Sequence, residues 1–256
     1  MNCLVFDIET VPDVEFGRRH LALTDLDDRD VATAMQFLRQ QKVGSDFLPL
    51  HQHRIVAISA VLRRGDTLNV WSLGDEDADE RELITRFYDG IERFAPTLVS
   101  WNGSGFDLPV LHYRALRHGV SAPRYWETGE TENAYRYNNY LGRFHWRHID
   151  LMDVLAAYQP RGRAPLDEVA AMLGFPGKFG MSGADVWETF LAGDLVEIRR
   201  YCETDVLNTY LVFVCFEAMR GVFSATERDA EIDRVREWLS AANEPHFDAF
   251  LKAWGA

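Results

Sequence analysis

Two carboxylates interrupt an otherwise apolar run near the start of the chain. Residues 4–11 read LVFDIETV, with Asp7 and Glu9 two positions apart. Successive side chains of an extended chain point to opposite faces, so residues 7 and 9 share one face. Like charges held that close raise one another's pKa unless a positive charge lies between them, and a bound divalent cation would supply it. The plainer alternative is a strand leaving the core for a polar loop, with Thr10 as a turn residue before Pro12.

Two later segments carry acids at defined spacing. WNGSGFD (101–107) puts Asp107 where a loop enters a helix, and YCETD (201–205) puts Tyr201 and Asp205 one turn apart on a helical face. Asp-x-Glu on a strand, Asn-x-x-x-Phe-Asp at a loop–helix junction and Tyr-x-x-x-Asp on a late helix together resemble the DEDD exonuclease superfamily in its tyrosine variant. More closely, FDIETV, WNGSGFDLPVL, HIDL (148–151) and RRYCETDVLNTY (199–210) are similar to the stand-alone 3′–5′ exonucleases related to the proofreading domain of family B DNA polymerases. The resemblance runs from residue 2 to about residue 220.

That resemblance implies an α/β, ribonuclease H-like (DnaQ-like exonuclease) fold, with a mixed sheet and flanking helices. It implies removal of nucleotides from a 3′ end at a site holding two divalent cations, Mg²⁺ or Mn²⁺. Two hard cations about 3.5–4 Å apart can clamp an in-line phosphoryl displacement, and they prefer clustered oxygen ligands. Asp7, Glu9, Asp107 and Asp205 are the implied ligands. Asp7 would bridge both ions, Glu9 and Asp205 would complete the first, and Asp107 would serve the second. Tyr201 would orient the attacking water rather than deprotonate it, since an ordinary tyrosine pKa near 10 makes a poor base at neutral pH.

By the same likeness, Thr10 and the Val11 backbone would bind the terminal 3′ hydroxyl, and Asn102 and Phe106 would contact sugar or base. Core packing is an equal reading of Phe106. Lys178 and Arg163 are either phosphate contacts or solvated surface groups. His148 is read as structural, because the histidine variant of the superfamily carries its histidine where this chain has Tyr201. The implied substrate is single-stranded or frayed DNA, with RNA or short oligoribonucleotides as the alternative. A non-catalytic nucleic-acid-binding module, or a role built on a partner that delivers substrate, is the remaining reading.

These residues need elements to hold them. After the first strand, residues 12–53 form a polar excursion with one helical stretch, Asp28 to Gln41, and look like an insertion. The chain then reads as a buried strand at 54–64, a tight turn at Gly65-Asp66 and an antiparallel strand at 67–73. A helix at 79–94 is stopped by Pro96 before a strand at 97–100, and 101–119 reads as a turn feeding a helix closed by Gly119. Further helical stretches fall at 150–158, 165–174, 183–192, 194–219, 226–241 and 245–254. Residues 1–220 are expected to form the exonuclease domain, and 221–256 a helical extension packed on it.

Bulk properties restrict the partners. The 256 residues carry a formal net charge of −13, which disfavours binding nucleic acid through a broad basic surface. Residues 111–164, however, hold eight arginines against five acids, so this window is +3 and the remainder is −16. Tyrosine, tryptophan and phenylalanine interleave with those arginines, notably over 124–147. This suits either a groove that stacks single-stranded nucleic acid or an ordinary loop with half-buried aromatics. Cys3, Cys202 and Cys215 lack metal-type spacing and read as packing residues. No run approaches the roughly 20 apolar residues that span a bilayer, so no membrane contact and a soluble, cytoplasmic protein are expected.

Overall fold

The computed structural model describes residues 1–177 and 180–255. The leading strand β1 (Asn2–Pro12) is continued by two helices, α1 (Val14–Leu21) and α2 (Asp28–Val43). Then come β2 (His53–Arg64), β3 (Thr67–Ser72), α3 (Glu80–Phe94), β4 (Thr97–Ser100) and α4 (Asp107–His118). The second half contains β5 (His148–Asp150), α5 (Leu151–Leu155), α6 (Leu166–Met172), α7 (Val186–Leu191), α8 (Leu195–Met219), α9 (Ala225–Ala242) and α10 (Pro245–Ala253).

The five strands form one mixed sheet in the order β3-β2-β1-β4-β5. Strand β2 runs antiparallel to β1 and β3, whereas β4 lies parallel to β1 and β5 parallel to β4. This is the α/β arrangement that the resemblance implies. Because β1 is central and covered on both faces, its run NCLVFDI is nearly continuous in apolar residues rather than alternating.

The alternation along β1 sorts its side chains between two cores. Cys3 and Val5 pack with α8 residues such as Val206, Leu207 and Tyr210, while Leu4, Phe6 and Ile8 pack with Ile84 and Phe87 of α3 and Leu111 of α4. Val11 lies with Ile198 and Tyr201, which belong to α8. Asp7 and Glu9, at intervening odd positions, therefore face α8. The cores fix the acids' direction before any ligand is considered.

Three elements differ from the sequence reading. The excursion after β1 contains α1 as well as α2, and Asp13 caps α1 by accepting from the Phe16 amide at 3.0 Å. Residues 148–150 form a strand, and the following helix ends at Leu155 instead of 158. Ala157 and Tyr158 take left-handed backbone angles there, which close the helix. Helices α9 and α10 contribute Val235, Leu239, Phe247 and Phe250 to the same core as Val5 and Tyr210. Among the described residues, no helix is long and apolar enough to cross a membrane.

Candidate active site

The acids approach one another along β1 just beyond the stretch that pairs with β4. Asp107 is the first residue of α4, and its Oδ1 accepts a hydrogen bond from the Ile8 amide at 3.2 Å. Ile8 lies between Asp7 and Glu9, so this bond ties the α4 entry to the two-acid strand. Asp205 comes from α8, the helix that Asp7 and Glu9 face.

Electrostatics records their closeness. Burial pushes the Asp7 carboxyl well above its ordinary range, and Asp107, Glu9 and Asp205 push it further. Glu9 is raised by burial and then by Asp205 and Asp107. Burial lifts Asp107 from 3.8 to about 7, although amides including that of Ile8 oppose the shift. The charged groups acting on Glu9 are thus carboxylates, so the cluster stores repulsion that a cation would relieve. Oxygen donors in a self-repelling acidic set fit a hard divalent cation.

Tyr201 stands one turn before Asp205, and its phenol hydrogen-bonds to that carboxylate. Burial, followed by the charges of Asp205 and Glu9, raises its pKa far above the ordinary value. The phenol is therefore a weaker acid than an ordinary tyrosine. Tyr201 and Asp205 also line a cavity of about 190 Å³ with Leu166, Asp167, Gly177 and Asn208. Asn208 holds the Gly177 peptide at both ends, donating to its carbonyl at 2.8 Å and accepting from its amide at 3.2 Å.

The loop before α4 is shaped by an acid that the sequence reading did not single out. Asp150, at the end of β5, accepts from the Asn102 and Ser104 amides at 2.9 Å each. Asn102 takes a left-handed backbone (φ 64°), which Asn tolerates better than most residues. Side chains at Gly103 and Gly105 would run into Ser100 and Asn102 respectively. The glycines let the loop turn tightly enough to aim Asp107 at Ile8. The pairing of Ser100 with Asp150 across β4 and β5 explains why a three-residue strand matters.

Thr10 and Phe106 lie beside one another through His53. The Thr10 hydroxyl bonds His53 Nδ1 at 2.9 Å, and the His53 ring meets Phe106 edge-on at 5.2 Å. Phe106 also packs on the α3/α4 core, so the packing reading of this ring holds alongside any contact role. Val11 is buried beside Tyr201. His148 bonds Ser100 Oγ at 2.8 Å, and burial lowers its pKa to about 4.

Cys202 is more than packing. Its thiol points to the Asp7 carbonyl at 3.5 Å and to Asp7 Oδ2 at 3.7 Å. Ligand atoms of Asp7, Glu9 and Cys202 all lie within 4.8 Å of one another. Its position three residues before Asp205 on α8 was the available signal, because that spacing shares a helical face.

Five of the eight arginines of the 111–164 window are paired with acids of the same chain. Arg114 is buried between Asp13 and Glu80, Arg117 pairs with Glu15, and Arg124 pairs with Glu92 and Glu132. Arg143 and Arg163 share Asp153 in ion pairs. Arg147 lies 4.0 Å over the Tyr135 ring. Tyr125, Tyr135 and Tyr140 are core residues, while Trp126, Tyr137 and Phe144 stay exposed. Positive charge in this window is mostly spent on internal acids. Lys178 lies outside the described residues.

No curated protein matches the chain. A family model described as a predicted 3′-5′ exonuclease related to the exonuclease domain of PolB matches residues 45–254. The matched span contains Asp107, Tyr201 and Asp205 and begins after β1, so Asp7 and Glu9 join the site through sheet register and core packing.

Proposed function

Since the chain belongs to the family of predicted 3′–5′ exonucleases related to the exonuclease domain of PolB, we propose that it hydrolyses the terminal phosphodiester at the 3′ end of single-stranded or frayed DNA. The observation that supports this reading is the approach of Asp107 from α4 and Asp205 from α8 to Asp7 and Glu9 of β1, whose carboxyls are raised by burial and by those acids. Two divalent cations held by these four acids would supply Lewis acidity and charge neutralisation for in-line attack of water on phosphorus. In the reaction the bond from phosphorus to the preceding 3′ oxygen breaks, releasing a mononucleotide and leaving a new 3′ hydroxyl.

The chain's own groups position the reactants. Tyr201 stays a phenol and hydrogen-bonds to Asp205, so it orients the attacking water instead of removing its proton. Thr10 and the Val11 backbone hold the terminal sugar hydroxyl, and Asn102 and Phe106 border the sugar and base. Family likeness to a DNA polymerase's exonuclease domain favours DNA over RNA.

The test is a panel of 5′- and 3′-labelled DNA and RNA oligonucleotides with Mg²⁺, Mn²⁺ or chelator, comparing wild type with Asp7→Ala. Stepwise shortening from the 3′ end, absent with chelator and in the variant, is expected on DNA. Shortening that persists in Asp7→Ala sinks the assignment, and shortening of RNA alone replaces the substrate.

A further inference from the structure

The insertion between β1 and β2 brings an aromatic side chain to the site. Phe47 follows α2, outside any regular element, and 56% of it is exposed. Its neighbour Leu48 is buried against Val31 and Met35, so the segment is anchored while the ring beside the anchor stays at the surface. The Phe47 carbonyl accepts from Arg39 Nε and its amide donates to Ser45 Oγ, each at 3.2 Å, which pins the backbone on both sides.

The ring is supported from beneath. It lies 5.3 Å from the His53 ring and 5.8 Å from Phe106, tilted against both. Phe106 immediately precedes Asp107. Phe47 is therefore two contacts from the acid cluster, held in place and still open to solvent. A loose apolar loop residue would have neither the pinned backbone nor the aromatic support.

His53 ties this ring to the residue placed at the sugar. Its Nε2 faces the Leu48 carbonyl at 3.2 Å. A carbonyl only accepts, so Nε2 carries the hydrogen and, in the neutral ring, Nδ1 accepts from Thr10. Burial keeps the ring neutral by lowering its pKa. The Thr10 oxygen is then left to accept a bond from elsewhere, which suits a sugar hydroxyl. One imidazole thus fixes an aromatic surface and a hydroxyl acceptor side by side, the two groups that a terminal nucleoside presents partners for.

We propose that Phe47 is the stacking platform for the base of the 3′-terminal nucleotide, supplied by the insertion. This rests on the exonuclease reading above. Stacking on an aromatic side chain tolerates every base, because each has a π-face.

The probe is a single-stranded DNA oligonucleotide ending in 2-aminopurine, with a matched oligonucleotide whose last residue lacks its base. Affinity is measured with Ca²⁺ in place of Mg²⁺. Phe47→Ala is expected to bind the base-bearing end roughly 5- to 100-fold more weakly than wild type. It should also relieve quenching of the terminal 2-aminopurine and bind the abasic end as wild type does, while Phe47→Trp restores both readouts. Equal weakening on both ends, or no weakening on either, overturns the proposal. Failure of the wild type to shorten any oligonucleotide would instead strike the exonuclease reading.

Discussion

Asp7 sits where evolution of a stable fold alone would not put it. Its carboxylate is surrounded by Glu9, Asp107 and Asp205, and burial adds to the repulsion. Replacing Asp7 with Asn removes one like charge at nearly constant shape. The cation-free protein is expected to gain on the order of 1–2 kcal/mol in thermal or denaturant unfolding, while exonuclease activity is lost. Divalent cations should raise the melting temperature of wild type by binding the folded state, and raise that of Asp7→Asn much less. A variant less stable than wild type without cations would show that the cluster is not under charge strain. The acids themselves were legible in the sequence, because a period of two on a strand and of four on a helix fixes which side chains share a face. Asp150 and His53 were not, since they act by holding a loop amide or a neighbouring hydroxyl, and no spacing rule marks such a partner.

Elements are held to one another by buried ion pairs as well as by apolar packing. Arg63 of β2 bonds Glu231 of α9 through Nε at 2.5 Å and Nη2 at 3.1 Å, and Tyr210 of α8 donates to the same carboxylate at 2.5 Å. Glu203 of α8 receives Ser72 of β3 and His246 of α10, each at 2.7 Å. These bonds bind the last two helices to the sheet. Burial alone would raise the Glu231 carboxyl, but Arg63 and Tyr210 outweigh it and hold it below the ordinary value. A depressed carboxyl contributes stability that is present above the unfolded value, near 4.5, and lost as pH falls through the folded one. Glu231→Gln leaves Arg63 buried without its counter-charge. It should cost about 3 kcal/mol or more in urea unfolding at pH 7, and its deficit against wild type should shrink below pH 4. A deficit that stays constant across that range would remove Glu231 as the titrating group. The long helices and most strands could be read from periodicity and capping. The strand β5 could not, because three residues carry no period and become a strand only through pairing with β4.

At the scale of the whole molecule, a net charge of −13 has to be reconciled with a polyanionic substrate. A basic groove over 111–164 would have done so, but Arg114, Arg117, Arg124, Arg143 and Arg163 are paired with acids of the same chain. Within that window, Arg136, Arg147 and Arg161 lie outside these ion pairs. On the proposed function, affinity would come from the terminal nucleotide at the acid cluster, where cations would offset the carboxylates and aromatic rings would meet the base. Binding to single strands loses affinity with salt at a slope of about −0.7 for each phosphate neutralised. A strand gripped at its end should give a log–log slope on the order of 2 or less in magnitude, measured by fluorescence anisotropy with Ca²⁺ held constant. Lengthening the oligonucleotide beyond a few nucleotides should change affinity little. A slope of about 5 or more, growing with length, would reveal an extended phosphate track and favour a basic groove over 111–164.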